Sequence, residues 1–191
     1  MRKAVVFMTL SLDGFFEGPD HDISWHNVDE EFTRFVIEQM RKVDLILFGR
    51  RSYELMESFW PGVEDNPDET TGDHEIARLM NHSKKIVYST TLEKVHERKN
   101  WEHVSLLRSV DPAEVKRWKE EPGGEIWVGG SSLATAFVDA RLIDEFRFVI
   151  NPAVLGNGTR IFSGLGRKLD LTLVDSRTFT SGNVQLTYRP G

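Results

Sequence analysis

Short apolar runs separated by segments of helical period recur along most of the chain, and this alternation restricts it to a sheet with helices packed against it. The runs fall at Ala4 to Leu12, Asp44 to Phe48, Lys85 to Ser89, Val104 to Leu107, Glu125 to Val128 and Glu145 to Asn151. Most lack the strict apolar/polar alternation of a strand wetted on one face, so layers on both sides of the sheet are expected. Between the runs, Phe32, Phe35, Val36 and Met40 share a helical face; Ile76, Leu79 and Met80 mark a second helix, and Leu133, Ala136, Phe137 and Ala140 a third. Asn27, three residues before Glu30, has the form of a capping box, and Pro112 suits the first turn of a short fourth helix. After Pro152 the pattern becomes β-rich: "LTLVDSRTF" and "NVQLTYRP", parted by Thr180, Ser181 and Gly182, read as an antiparallel hairpin. The expected fold class is α/β, a mixed and mostly parallel central sheet flanked by helices and closed by that hairpin. The segments "DGFFEGPDHDISW" and Pro61 to Asp73 read as long mobile loops.

At 191 residues the chain reads as one domain, 1–191, able to bury roughly 70% of its unfolded surface without staples. It has no cysteine, so disulfides and thiolate metal sites are excluded and a cytoplasmic setting is the expectation. "MRKAVVFMTLSLDG" reads as a first strand rather than a signal peptide, because Thr9 and Ser11 interrupt its apolar run and no small-residue cleavage site follows. No stretch approaches 18 consecutive apolar residues. A net charge of -6 argues against a nucleic-acid surface. The six histidines show neither HxxxH nor HExxH spacing, which removes a helix-borne zinc pair.

Ligands of open α/β sheets gather outside the carboxyl ends of the strands, and three such junctions look alike. "FGRRSYE" offers Gly49, Arg50, Arg51 and Ser52; "VYSTTLE" offers Ser89, Thr90 and Thr91; "WVGGSSLATAF" offers Gly129, Gly130, Ser131, Ser132 and Leu133. Paired glycines let the backbone approach a ligand, and free amides at the following helix start carry partial positive charge, a setting for phosphate. The same residues also serve a plain turn with a serine cap, and both readings stand at this point. Two adjacent arginines in an acidic chain favour an anion: one guanidinium–phosphate contact contributes about 1.5–3 kcal/mol. Neither GxGxxG nor a Walker A motif is present, and "GGSSL" lacks the second glycine of GxSxG.

These junctions also carry a family resemblance. "MTLSLDGFFEG", "LILFGRRSYELM", "KKIVYSTTL", "IWVGGSSLATAFVDARLIDEFRFVINPAVLGNGTRIF" and the closing hairpin, in that order, span nearly the whole chain. Together they resemble the dihydrofolate reductase-like superfamily, in particular the branch named for the C-terminal reductase domain of the bifunctional riboflavin-biosynthesis deaminase-reductase. The resemblance implies a three-layer fold, NADPH as cofactor, and hydride transfer to a pyrimidine- or pterin-like heterocycle, of the 5-amino-6-(5-phosphoribosylamino)uracil reductase type. It implies that Gly49 to Ser52 and Gly130 to Leu133 hold the pyrophosphate, with Arg50 or Arg51, Ser89 and Thr90 near the adenosine 2′-phosphate. Ser11, Leu12, Asp13 and Gly14 would border nicotinamide and substrate, Leu155 and Gly156 the far side, and Trp25 would shape the pocket. Asp29 and Glu30 lie near the spacing of the folate-type proton donor, with Asp13 a third catalytic candidate. Stand-alone relatives often form homodimers. Dihydrofolate reduction and a non-catalytic NADPH-binding module are the alternative readings.

Overall fold

The computed structural model describes residues 1–191. In chain order the elements are β1 (Ala4–Ser11), β2 (Phe15–Glu17), a 3-10 turn at Pro19–His21, α1 (Glu30–Met40), β3 (Val43–Gly49), α2 (Arg50–Asp65), α3 (Thr71–His82), β4 (Lys84–Tyr88) and β5 (Val104–Leu107), followed by α4 (Pro112–Glu120), β6 (Glu125–Gly129), α5 (Ser131–Asp139), β7 (Glu145–Asn151), β8 (Thr159–Arg160), β9 (Leu171–Thr178) and β10 (Val184–Pro190). Eight strands make one sheet in the order β5-β4-β3-β6-β1-β7-β10-β9. It is parallel from β5 to β7, and β10 and β9 complete it antiparallel, so the mixed sheet with its C-terminal hairpin is as expected.

The strands lack alternation because both faces are covered. On β3, Leu45 and Leu47 enter one core while Ile46 and Phe48 enter the other; on β6, Ile126 and Val128 lie opposite Trp127 in the same way. Helices α1, α2 and α3 cover one face through Ile37, Met40, Tyr53, Ile76 and Met80. Helices α4 and α5 cover the other through Val115, Trp118, Leu133 and Phe137. Burying one such side chain contributes about 1.5–3 kcal/mol. Connections stepping toward β5 cross the first face and those stepping back cross the second, as right-handed crossovers require. The helices leaving β3 and β6, which are neighbours, therefore depart to opposite faces, and a crevice opens between their carboxyl ends.

Four local expectations are corrected. Pro61 to Asp73 is not a long loop: α2 runs through Pro61 to Asp65, and only residues 66–70 separate it from α3. Proline removes the amide that would bond the Glu57 carbonyl, and the guanidinium of Arg98 donates to that oxygen instead, so the helix continues. The cap of α1 is Asp29 rather than Asn27; the Phe32 amide donates to Asp29 Oδ1 at 2.7 Å. "DGFFEGPDHDISW" contains β2, which pairs antiparallel with β8. Finally, "VYSTTLE" leads into no helix. Ser89 Oγ accepts from the amides of Thr91 (3.2 Å) and Leu92 (2.9 Å), closing a turn on itself.

Candidate active site

The two glycine junctions meet. Phe48 and Gly129 are register partners, so Gly49 and Gly130 stand side by side where α2 and α5 begin. Gly130 has φ +91°, and a Cβ there would lie 2.5 Å from Ser52 Oγ; only glycine lets the two loops approach this closely. A Cβ on Gly129 would press on the Phe48 ring at 3.2 Å, whereas one on Gly49 would meet nothing within 4 Å, because that position opens onto the crevice. Neither Gly49 nor Gly130 has a side chain to cap its helix, and neither first turn contains a carboxylate. The amides of Arg50 to Ser52 and of Ser131 to Leu133 are thus first-turn donors left to an outside acceptor, at the positive ends of two helix dipoles. Leu133 is buried with its side chain in the core; Ser131 is half-buried and Ser132 exposed.

The loop after β4 closes one side of this half. Arg50 Nη1 donates to Thr91 Oγ1 (2.9 Å) and its Nε to Glu54 Oε1 (2.7 Å), so its guanidinium bridges the start of α2 and the Ser89 turn. Arg51 and Thr90 are exposed. Arg108, which sequence reasoning passed over, braces the loop by donating to the carbonyls of Ser89 (3.0 Å), Leu92 (2.5 Å) and Glu93 (3.1 Å). Its only sequence signal is a cation directly after a strand.

The second half of the crevice lies between β6 and β1. Register pairs join these strands only at Ala4–Ile126 and Val5–Trp127, while β1 stays paired to β7 as far as Ser11–Asn151. The carboxyl half of β1 therefore presents an unpaired backbone edge toward the end of β6. Beyond it, Ser11, Asp13 and Gly14 form a tight turn with Gly14 at φ +86°. Asp13 Oδ1 accepts from Ser11 Oγ (2.7 Å) and the Leu155 amide (3.1 Å), and Oδ2 from the Gly156 amide (2.8 Å). Desolvation pushes this carboxyl up, but the Gly156, Ser11 and Leu155 donors outweigh it and hold it at about 2. The expected substrate-side residues Ser11, Asp13, Gly14, Leu155 and Gly156 are thus brought together, with Leu12 67% exposed beside them and its backbone N–H donating to the Ala153 carbonyl at 2.8 Å. Arg160, also missed, donates to the Asp13 carbonyl (2.6 Å) and lies 4.1 Å over the Phe15 ring. Trp25 is half-buried, its Nε1 donating to the Asp22 carbonyl at 3.1 Å and its ring edge-on to His26.

At the start of α1 the two acid candidates differ from a buried proton donor. One oxygen of Asp29 is committed to the helix, and Glu30 is 91% exposed and paired with Arg34 at 3.1 Å. The carboxylate turned toward the sheet is Glu31. It accepts from the Thr180 amide (2.9 Å), the Thr180 hydroxyl (2.7 Å) and Arg177 (3.2 Å), and these donors, in that order, hold it at about 2. Asn27 is the hub of this corner. Its amide donates to Asn151 Oδ1 (2.7 Å) and its Nδ2 to the Ser181 carbonyl (2.8 Å), and its carbonyl accepts from Asn183 Nδ2 (2.7 Å).

The fold and this crevice define an open α/β protein with two uncapped helix starts facing one gap, and no helix is long and apolar enough to cross a membrane. The chain belongs to the RibD C-terminal domain family, which it matches over residues 2–185. It is 35% identical over 190 residues to the uncharacterised protein YyaP of Bacillus subtilis (strain 168), covering 98% of this chain and 94% of that one. Among solved structures it resembles a chain from Shewanella sp. PV-4 with TM-score 0.74 and 22% identity, covering 99% of each chain. It also resembles the dihydrofolate reductase of Enterococcus faecalis complexed with NADP(H), with TM-score 0.63, 14% identity, and coverage of 99% of this chain and 96% of that one. The shared fold is the dihydrofolate reductase-like one.

Proposed function

We propose that this protein is an NADPH-dependent reductase that transfers a hydride to a pyrimidine- or pterin-like heterocycle. The reaction class is that of the 5-amino-6-(5-phosphoribosylamino)uracil reductases. The observation that carries the reading is the pairing of the α2 and α5 starts, uncapped and free of carboxylates, across the Gly49–Gly130 contact. Two phosphates of one pyrophosphate suit two adjacent helix dipoles, which the bare backbone of Gly130 lets stand side by side by leaving room for Ser52. The amides of Gly49 to Ser52 and Gly130 to Leu133, with Gly129 shaping the turn, hold the pyrophosphate in this reading. Arg50, with Arg51, Ser89 and Thr90, recognises a 2′-phosphate. The gap between β1 and β6 takes the nicotinamide ring, with Ser11, Leu12, Gly14, Trp25, Leu155 and Gly156 bordering the substrate. Bound there, NADPH supplies the hydride.

Asp13 acts in this scheme by position: fixed as an anion by three donors, it holds loop 153–156 against the end of β1 and has no proton to give at neutral pH. Asp29 serves as helix cap, and Glu30, in solvent, is set aside as an acid. The proton that follows the hydride comes from water entering the open end of the crevice. The lack of a free buried carboxylate at α1 disfavours folate-type reduction. It equally motivates the second reading, a module that binds NADPH without turning anything over.

The test is a titration of NADPH and NADH into the wild type, Arg50→Ala and Arg51→Ala. Loss of the Arg50 contact is expected to weaken NADPH by about 10- to 150-fold, the equivalent of about 1.5–3 kcal/mol, and to leave NADH unchanged. Equal effects on both cofactors, or none, would remove the arginines from 2′-phosphate recognition. Tight NADPH binding without oxidation across a panel of aminopyrimidines and pterins would favour the non-catalytic module.

A further inference from the structure

Of the helices that start at the carboxyl edge of the parallel strands, α4 follows the outer strand β5, and the three beside the crevice differ in what their first turns accept. Helices α2 and α5 begin at bare glycines with no acidic residue following. Helix α1 begins at Asp29, whose carboxylate occupies the Phe32 amide, and Glu30 and Glu31 complete its first turn. This third start stands over the substrate half, since Asn27 bonds Asn151 at the end of β7 and Glu31 bonds Thr180 in the β9–β10 turn. An anion is welcomed at the first two and repelled at the third.

The charges around this half agree. Between Lys3 and Arg34 the chain has no lysine or arginine but seven carboxylates: Asp13, Glu17, Asp20, Asp22, Asp29, Glu30 and Glu31. Of the cations that reach the area, Arg177 is paired with Glu31, Arg34 with Glu30, and His21 faces Glu17 at 2.9 Å. Arg160, on the Asp13 carbonyl and the Phe15 ring, keeps its charge, and the carboxylates still outnumber the arginines seven to three. Burial lowers the pKa of His26, with Asp22 opposing the shift. The buried polar atoms without partners at this corner include Asn151 Nδ2, Asn183 Oδ1, Ser181 Oγ and His26 Nε2. Asn151 and Asn183 are 1% and 0% exposed. Sealed in this way they pack the corner beneath the α1 start and bring it no charge to match a phosphate.

Resting on the reading of the crevice above, we infer that the heterocycle this protein reduces carries no phosphate and is neutral or cationic. The reaction class is unchanged; the phosphoribosyl group is what the site rejects. Like charges placed across a site suppress the wrong partner, and about tenfold or more is the expected discrimination.

The experiment is calorimetric titration of the NADP⁺-loaded protein, which cannot turn over, with 5-amino-6-ribosylaminouracil and with its 5′-phosphate. The unphosphorylated twin is expected to bind about tenfold or more tightly than the ester. Glu30→Lys, on an exposed side chain, is expected to narrow that gap; a gap unmoved by the reversal would contradict its electrostatic origin. If the loaded protein binds the ester as tightly, or binds neither twin, this inference falls while the cofactor site stands. If the protein does not load NADP⁺ at all, the crevice reading falls and takes this inference with it.

Discussion

Asp29 does work that asparagine does equally well, which makes capping separable from acid chemistry. Asparagine ranks with aspartate as an N-cap, whereas alanine costs about 1 kcal/mol. Asp29→Asn is expected to keep the melting temperature and turnover close to wild type, while Asp29→Ala lowers the melting temperature; thermal unfolding beside NADPH oxidation checks both. A collapse of turnover in Asp29→Asn with unchanged stability would return Asp29 to the role of proton donor. Individual residues were legible where chemistry and local spacing coincide. Gly49, Gly130 and Arg50 announce themselves in seven- to eleven-residue windows and do meet in space. The Asn27 hub was not legible, because its partners lie 124 to 156 residues away and an isolated asparagine gives no sign of which backbone it will bond. Locally Asn27 has the form of a cap, and its competitor, Asp29, differs from it only in what the rest of the fold brings near.

The C-terminus of α3 is tied to its neighbours through His82, whose Nε2 faces Glu64 of α2 at 3.0 Å and whose Nδ1 faces Glu102 at 3.3 Å. The Glu64 hydrogen bond is the main cause that raises the His82 pKa, burial opposes it, and Glu102 adds to the rise. A histidine whose folded value exceeds its unfolded value contributes stability that is fully present below the unfolded value near 6.5 and is lost as pH rises through the folded one. Stability of the wild type is therefore expected to exceed that of His82→Gln most at pH below 6 and to converge with it in mildly alkaline solution. Melting curves across that range decide it, and a difference independent of pH would mean that His82 acts by packing alone. Element positions were read closely from periodicity, with Val104–Leu107 and Glu145–Asn151 recovered at both ends. The failures came from punctuation. Proline at 61 stopped the reading of α2, although Arg98, 37 residues on, satisfies the carbonyl that proline abandons. Ser89 and Thr90 resembled a helix entry, because a hydroxyl that caps a helix and one that closes a turn look alike in sequence.

Across the molecule, strand order places the chemistry. Nothing in the sequence states that β3 and β6 are neighbours, or that β1 parts from β6 after Val5–Trp127, because both depend on which crossovers the helices choose. Fold class and the list of candidate glycines could be read from the chain; the crevice uniting those glycines came only with the order β5-β4-β3-β6-β1-β7. The same order divides the site into a half that accepts anions, at α2 and α5, and a carboxylate-rich half at α1, a division invisible in the net charge of -6. Everything proposed for the protein depends on the first of these halves. A crystal structure of the NADPH complex addresses it without intermediate steps: the pyrophosphate oxygens are expected within hydrogen-bond distance of the amides of residues 50–52 and 131–133, with the 2′-phosphate against Arg50. Pyrophosphate bound elsewhere, with those amides facing water alone, would contradict the account.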